Sequence, residues 1–413
     1  MEDRGLIPEL FRTEFSKIVA VLCKTFGLSH IELAEDLVSD TFLKAAETWG
    51  LKGVPDNPKA WLYTVAKNKA KDTFRRQKVF QEKIQPELMH AGTSAEAVDI
   101  DLSEHNIKDS QLQMLFAVCN PLVSAEAQIS LALRILCGFS IPEIATAFLS
   151  TDQTINKRLY RAKEKLRKNQ VELSMPSAKD LDQRLQNVLL VLYLLFSEGY
   201  YSSISEKHIR KDLCIEAMRL TYLLLNSEST NLPKVNALMA LFCFHASRFD
   251  ARTDADGGQI IYDQQNEADW DLELIEKGNV FLNRSGKGDE ISKYHLEAII
   301  AYWHTQTALE PLQKWEHILQ SYNRLLQLEY SPMAALNRTY ALARARGKKE
   351  ALQEALKIDL KQNHLYHLLL AELYEDHDSS KYQEHLEIAA ALAKTENERN
   401  WILDKLARTT KKN

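Results

Sequence analysis

Apolar residues along the first seventy positions recur at intervals of three and four. Leu10, Phe11, Phe15, Ile18, Val19 and Leu22 form one face, Ile31, Ala34, Leu37 and Val38 begin a second, and Trp61, Val65 and Ala66 a third. That period is the helical one, so residues 1–83 read as a set of packed helices. The pattern lapses between Pro86 and Asp109, where Glu87, Glu96, Asp99, Asp101, Glu104 and Asp109 face only Lys108, and Gly92-Thr93-Ser94 interrupts. Residues 84–110 therefore read as an acidic linker. Helical periodicity resumes at Gln111 and continues to about Gln170, with Ser174-Met175-Pro176-Ser177 as a second boundary. Leu181 to Tyr201 is apolar on nearly every side through VLLVLYLLF, which predicts a central, buried helix. Alternating Val- and Ile-rich runs are scarce, and 13 Gly and 10 Pro in 413 residues leave little room for elaborate loops. The predicted class is all-α.

The sharpest local signal is SIPEIATAFLSTDQTINKRLYRAKEKLRK, from Ser140 to Lys168. Ser140 with Glu143 fits a capping box, with Pro142 in the first turn, and Ser150 with Gln153 repeats the pattern. The first predicted helix carries Ile141, Ile144, Ala145 and Phe148 on one stripe. The second carries Ile155, Leu159, Ala162 and Leu166, and surrounds them with Lys157, Arg158, Arg161, Lys163, Lys165, Arg167 and Lys168. A basic solvated face would have the same charge. The doubled helix starts favour a helix-turn-helix whose second helix enters a DNA major groove.

A second basic stretch runs from Pro58 to Lys83. Lys59, Lys67, Lys69, Lys71, Arg75, Arg76, Lys78 and Lys83 stand against Asp72 and Glu82, with Trp61, Tyr63, Phe74 and Phe80 interleaved. Basic side chains can follow phosphates, Asn68 can pair with a base edge, and aromatic rings can stack on an unpaired base. Trp61 shares a face with Val65 and Ala66, so core packing accounts for it equally well. Upstream, AEDLVSDTFLKAAETW (34–49) gathers Glu35, Asp36 and Asp40 on one helix, either as a solvated face or as a docking surface for a basic partner.

Net charge is −5, but residues 1–170 hold 23 Lys+Arg against 22 Asp+Glu, while residues 171–413 hold 29 against 35. The two parts are +1 and −6, and the positive charge of the first is confined to the two stretches above. Cys23, Cys119, Cys137, Cys214 and Cys243 are scattered without a C-x-x-C pair and sit among apolar neighbours, as buried thiols in a reducing compartment do. The first ten residues alternate charged and apolar positions, and the longest apolar run, Val188 to Phe196, is nine residues. Neither a secretory leader nor a membrane span is expected, and the location is read as cytoplasmic.

The order of these segments resembles the bacterial alternative sigma factors of the extracytoplasmic-function class. The acidic DLVSDTF, then PKAWLYTVAKNKAKDTFRR, then an acidic linker and the 140–168 helix-turn-helix follow that family's sequence of parts. The resemblance continues through LYLLFSEGYYSS (192–203), DLCIEAMRL (212–220), DQQNEADWD (263–271) and SPMAALNRTYALA (331–343), which are similar to a long subgroup with a fused C-terminal helical domain. SPMAALNRTYALA and LYHLLLAELYEDH (365–377) also place Tyr340 and Tyr374 34 residues apart, the tetratricopeptide period.

The resemblance implies a polymerase-docking and −10 domain over 1–83, the linker 84–110, and a −35 domain over 111–170. A family-specific helical domain over 171–290 and tetratricopeptide-like repeats over 291–413 would follow. It assigns Glu35, Asp36, Asp40 and Phe42 to the core RNA polymerase. Trp61, Asn68, Lys69, Asp72, Arg75 and Arg76 go to the −10 element, and Gln153, Thr154, Asn156, Lys157, Arg158 and Arg161 to the −35 element. Asn156 and Arg158 are the candidates for base edges. Lys67 and Lys69 stand where the family more often has Arg, which favours phosphate contact over bidentate base contact there. Promoter DNA and core polymerase are the implied partners, and a concave repeat surface would suit a protein or peptide ligand.

No nucleophile–base pair, Walker loop or G-x-G-x-x-G occurs, so no enzymatic activity and no cofactor are expected. His364 and His367 lack a third metal ligand, and Asp250, Asp254 and Asp256 lack the EF-hand spacing, so no metal is expected either. Arg252 and Trp270 read as core anchors or as a binding edge. Two competing functions remain. A helical-repeat adaptor with a non-initiating N-terminal half would bind DNA weakly and without sequence preference. A helix-turn-helix repressor would need neither the acidic docking helix nor the basic–aromatic segment.

Overall fold

The computed structural model describes residues 6–84, 100–148, 150–200, 210–252, 260, 264–393 and 396–410, with side chains throughout except at 77–84, 397, 409 and 410. The described residues are helical, with no strand among them. The helices divide into two compact units, Met1–Leu194 and Leu195–Asn413.

In the first unit, α1 (Leu6–Phe26) is the central helix, flanked by α2 (Ile31–Lys52), α3 (Pro58–Ile84) and α4 (Glu104–Val118). Phe15, Ile18, Val19 and Leu22 on α1 are almost wholly excluded from water, which is the inward stripe expected from the 3–4 spacing. The helix expected from Gln111 starts earlier, at Glu104. Ser103 caps it by accepting from the Asn106 N–H, and the Asp101 carboxylate accepts from the Ser103 N–H at 2.9 Å. These acids are thus helix-start residues, placed where the helix dipole favours negative charge. The rest of the acidic segment, 85–99, lies outside the described residues.

The helices α5 (Ala125–Leu131), α6 (Ile141–Ala147) and α7 (Asp152–Lys168) follow. Between α5 and α6 the chain widens into a π turn, Ala132–Leu136, closed by the Cys137 N–H on the Ala132 carbonyl at 3.1 Å. Gly138 ends it at φ +70°, a backbone angle that glycine adopts without strain. The Ser140–Glu143 capping box is present at α6. At α7 the cap is Thr151, whose hydroxyl accepts from the Thr154 N–H at 3.2 Å, and not Ser150. Ser150 instead donates its N–H to the Ala145 carbonyl at 2.9 Å, so its backbone belongs to the turn that closes α6.

The helix α8 (Leu181–Tyr200) is not the uniformly buried rod its composition predicts. Leu185, Val188, Leu189 and Leu192 are buried as an i, i+3, i+4, i+7 stripe, and Leu190 is 37% exposed. The division between the two units falls inside this helix. Its first half is tied to the first unit by Arg184, which donates to the Phe116 carbonyl at 2.5 Å. Asn187 adds bonds to the Cys119 carbonyl (2.7 Å) and to the Gln128 Oε1 (2.8 Å).

In the second unit the buried rod is α10 (Pro233–Ala246), packed by α9 (Lys211–Leu225), α11 (Leu272–Ser285) and α12 (Lys293–Thr305). The helices α13 (Pro311–Leu328), α14 (Pro332–Arg346), α15 (Lys348–Ala355), α16 (His364–Tyr374), α17 (Ser379–Leu392) and α18 (Glu396–Thr410) then pack each on the next. Trp315, Leu336, Leu342 and Leu370 anchor one core of this stack, and Tyr374, Tyr382 and Leu386 a second.

His367 uses its two ring nitrogens on the Lys361 carbonyl (2.9 Å) and on His385 (3.2 Å). Arg252 lies 3.9 Å over the Tyr200 ring and Trp270 is 7% exposed, so both are core anchors. Asp254, Asp256 and the Gly257-Gly258 pair lie outside the described residues. All five cysteines are buried thiols outside any disulfide, and burial raises the Cys119, Cys214 and Cys243 thiols to about 12. Among the described residues no helix is long and apolar enough to cross a membrane.

Candidate nucleic-acid interface

The helix α2 turns Ile31, Ala34, Val38, Phe42, Ala45 and Trp49 inward. At 100° per residue Glu35 falls on that same stripe, and Asp36 and Asp40 fall on the opposite, exposed side. Four residues were expected to dock a partner here, and two are on the surface. Phe42 is 4% exposed and meets Phe11 edge-on at 5.0 Å, so it is a core residue. Glu35 is 5% exposed. One of its oxygens accepts from Arg134 Nε on the π turn at 3.0 Å and the other from Lys163 Nζ on α7. Arg134 also donates to the Phe139 carbonyl at 3.1 Å. A buried charge is tolerated only with such complete pairing. Glu35 therefore faces the interior of its own chain.

On α3, Asn68, Asp72, Arg75 and Arg76 are exposed and follow one another at helical spacing. Lys69 leans back to α2, where its ammonium donates to the Asp40 carbonyl at 3.0 Å and lies 3.6 Å from the Asp40 carboxylate. The aromatic residues of this helix are engaged within the fold. Trp61 packs edge-on against Trp49 at 5.3 Å, Phe74 stacks on Phe26 at 3.3 Å, and the Tyr63 hydroxyl donates to Glu14 at 2.5 Å. The side chain of Phe80 lies outside the described residues. Burial alone would raise the Glu14 carboxyl. Hydrogen bonds from Tyr63 and Lys17, with the charges of Lys17 and Lys59, outweigh it and hold the group below its ordinary range.

On α7, Gln153, Thr154, Asn156, Lys157 and Arg161 are exposed on the first three turns, while Ile155, Leu159, Ala162 and Leu166 are buried. Thr154 spends its hydroxyl on Thr151 at 2.9 Å. Arg158 is half-buried, 5.6 Å over the Phe148 ring and within 3.4 Å of the Ser130 hydroxyl, so it braces α7 against α5. Lys163 belongs to the Glu35 cluster, and Arg167 reaches Glu32 on α2 at 3.8 Å. The outward cationic edge is therefore Lys157, Arg161, Lys165 and Lys168.

Sequence reasoning missed Glu14, Arg134 and the inward role of Lys163. A lone arginine within the apolar LALRILCGF was the available sign that Arg134 meets a buried acid.

Two family models match the chain: Sigma-70 region 2 over residues 11–79, and a family of unknown function, DUF6596, over residues 184–286. An uncharacterized protein of Rhizobium meliloti (strain 1021), R00370, is 31% identical over 353 residues, 85% of this chain and 83% of its own length. The RNA polymerase sigma factor YlaC of Bacillus subtilis (strain 168) is 27% identical over 170 residues, 41% of this chain and 94% of its own. No solved structure matches the chain.

Proposed function

We propose that this chain, which belongs to the same family as the Rhizobium meliloti protein R00370 and matches Sigma-70 region 2 over residues 11–79, is an alternative sigma factor of the extracytoplasmic-function class. In this reading it recruits core RNA polymerase to promoters in the cytoplasm and carries a fused helical regulatory domain. The observation that carries it is the separation of two exposed ridges within the span matched by Sigma-70 region 2. Asp36 and Asp40 stand on α2, and Asn68, Asp72, Arg75 and Arg76 stand on α3. The first ridge offers two carboxylates one turn apart to a basic surface of the polymerase. The second offers amide and guanidinium donors to the −10 element.

The helices α6 and α7 would read the −35 element. Asn156 would contact a base edge, and Lys157 and Arg161 would contact phosphates, with Gln153 at the groove entrance. Arg158 supports α7 from behind, and Thr154 donates its N–H to the Thr151 cap. Glu35 and Phe42 leave the docking set because both are buried. The stacked pairs α14–α15 and α16–α17 support a tetratricopeptide-like arrangement suited to a protein or peptide ligand. The reading assigns the chain no reaction and no cofactor.

One observation favours the adaptor instead. Trp61, Tyr63 and Phe74 are all engaged inside the fold, which leaves none of the three free to stack on an extruded base.

Run-off transcription by core polymerase with the full-length protein, on the promoter of its own gene and a promoter library, separates the readings. Specific transcripts that disappear on reversing Asp36 and Asp40 to Lys support the sigma factor. Polymerase binding without transcripts favours the adaptor. DNA binding that survives the reversal, with no polymerase binding by either protein, favours a repressor.

A further inference from the structure

Two histidines of the second unit take no part in the reading above. The sequence singles out His364 and His367 at i, i+3 on one helix. Folding instead brings His385 of α17, 18 residues on, against His367 of α16, with the two Nδ1 atoms 3.2 Å apart. The ring centroids are 5.3 Å apart and the planes lie at 40°, so the rings meet nitrogen to nitrogen and are not stacked. His367 is buried and His385 half-buried. Tyr366 meets the first ring edge-on at 5.3 Å, and Tyr374 stacks on the second at 5.6 Å.

The hydrogen bonds leave lone pairs between the rings. The Lys361 carbonyl can only accept, so its partner His367 Nε2, at 2.9 Å, carries the proton. The neutral ring therefore turns a bare Nδ1 toward His385. In one tautomer His385 answers with an Nδ1–H. In the other its proton sits on Nε2, and two bare nitrogens converge. A separation of 3.2 Å is at the long end for an N–H hydrogen bond, whereas a zinc ion about 2.05 Å from each nitrogen would subtend about 103°, near the tetrahedral angle. A backbone carbonyl holding the far N–H is also the usual support of a metal-bound imidazole.

We propose that His367 and His385 form a two-imidazole site for a first-row divalent metal ion, zinc by its geometry, that bolts α16 to α17. Among the described residues no third histidine, cysteine or carboxylate completes a cluster, so water fills the remaining positions. A permanently held structural zinc takes four protein ligands; this ion is exchangeable, and its occupancy follows supply. Binding releases no net proton. The His385 proton passes from Nδ1 to Nε2 through water, and both Nδ1 lone pairs go to the ion. Of the charges beside the site, exposed Glu384 favours a cation, and Lys381 is drawn over the Tyr374 ring at 4.9 Å and toward Asp378 at 4.0 Å. Nothing in the site depends on the sigma-factor reading.

The test is isothermal titration of the tag-free, full-length protein with Zn²⁺ and, separately, with Ni²⁺ and Cu²⁺. One ion per chain is expected, and the electron paramagnetic resonance of the Cu²⁺ form should show coupling to two imidazole nitrogens. Zn²⁺ at about 100 times its Kd should raise the Tm of the second unit by about 5–10 °C. His385→Phe keeps a ring against Tyr374 but removes a ligand, so it should weaken binding by about tenfold or more and abolish the Tm shift. His377→Ala, at an exposed histidine of the same stack, should leave both unchanged. The Cu²⁺ spectrum needs no variant, so the site stays testable if His385→Phe unfolds. Absence of saturable binding by all three ions, a spectrum with one nitrogen or none, or binding that survives His385→Phe intact overturns the site and leaves a hydrogen-bonded histidine pair.

Discussion

Cutting the chain after Ser174, where its composition suggests a boundary, would strip α8 from the first unit. The loss includes five buried aliphatic side chains, Leu185, Val188, Leu189, Val191 and Leu192, and the bonds of Arg184 and Asn187 to α4, Cys119 and α5. Each such side chain contributes about 1.5–3 kcal/mol by burial, so together they stabilise the unit by about 8–15 kcal/mol as an upper estimate. That equals the whole stability of an ordinary domain, about 5–15 kcal/mol. A fragment ending at Ser174 is therefore expected to be molten, with retained helical circular dichroism, strong ANS fluorescence and no cooperative urea transition. A fragment ending at Leu194 is expected to unfold cooperatively. Equal urea midpoints for the two fragments would refute the reasoning. Loss of DNA binding in the shorter fragment would report a damaged α4–α5 core and not a regulatory role of the C-terminal unit.

Lys157→Ala and Arg161→Ala should each weaken DNA binding evenly across sequences and reduce the salt dependence by about one counterion, whereas Asn156→Ala should cost about 1–3 kcal/mol at one base position; titrations at several salt concentrations separate the two behaviours. Burial, followed by the charges of Arg248 and Lys314, lowers the His304 imidazole to about 3. The unfolded chain then binds a proton near pH 6.5 that the folded one refuses, so stability falls as pH drops from about 6.5 toward 3, by about 2 kcal/mol at pH 5. Urea unfolding of His304→Phe should show a shallower pH dependence over that window. Gly278→Ala places a Cβ 2.6 Å from the Phe244 ring and should destabilise the second unit by about 1–3 kcal/mol, read as a lower Tm. Tyr63→Phe removes the hydroxyl that donates to buried Glu14, costs about 1.5–3 kcal/mol near neutral pH, and moves the onset of acid unfolding to higher pH.

The start of α6 was readable because Ser140 and Glu143 satisfy each other locally, and the same holds for the exposure of Asp36 and Asp40, which periodicity alone decides. Glu35 was readable in part: it lies four residues after Ile31 and three before Val38, on the buried stripe. Its partners were not, because they come from helices about a hundred residues away. Acidic composition concealed the start of α4, since the residues that suit a solvated linker also suit the first turn of a helix. For α8 the stripe was visible but not the unit it would join, because periodicity says which side of a helix is buried and never against what. The aromatics of α3 misled for a related reason. Ring and charge interleave along the sequence, yet in space Trp61, Tyr63 and Phe74 pack on neighbouring helices while Asp72, Arg75 and Arg76 stay exposed.

The π turn at Ala132–Leu136 makes the direction of Arg134 depend on residue number and not on residue choice. Removing one residue there would return the chain to α-helical winding and rotate the segment before the turn by about 100° relative to the segment after it. Arg134 and the basic face of α7 could then no longer converge on the same carboxylate. A lineage carrying a single-codon deletion in this turn would keep every side chain of the cluster and lose the cluster itself, so in related sequences the gap pattern here is more informative than the residue identities.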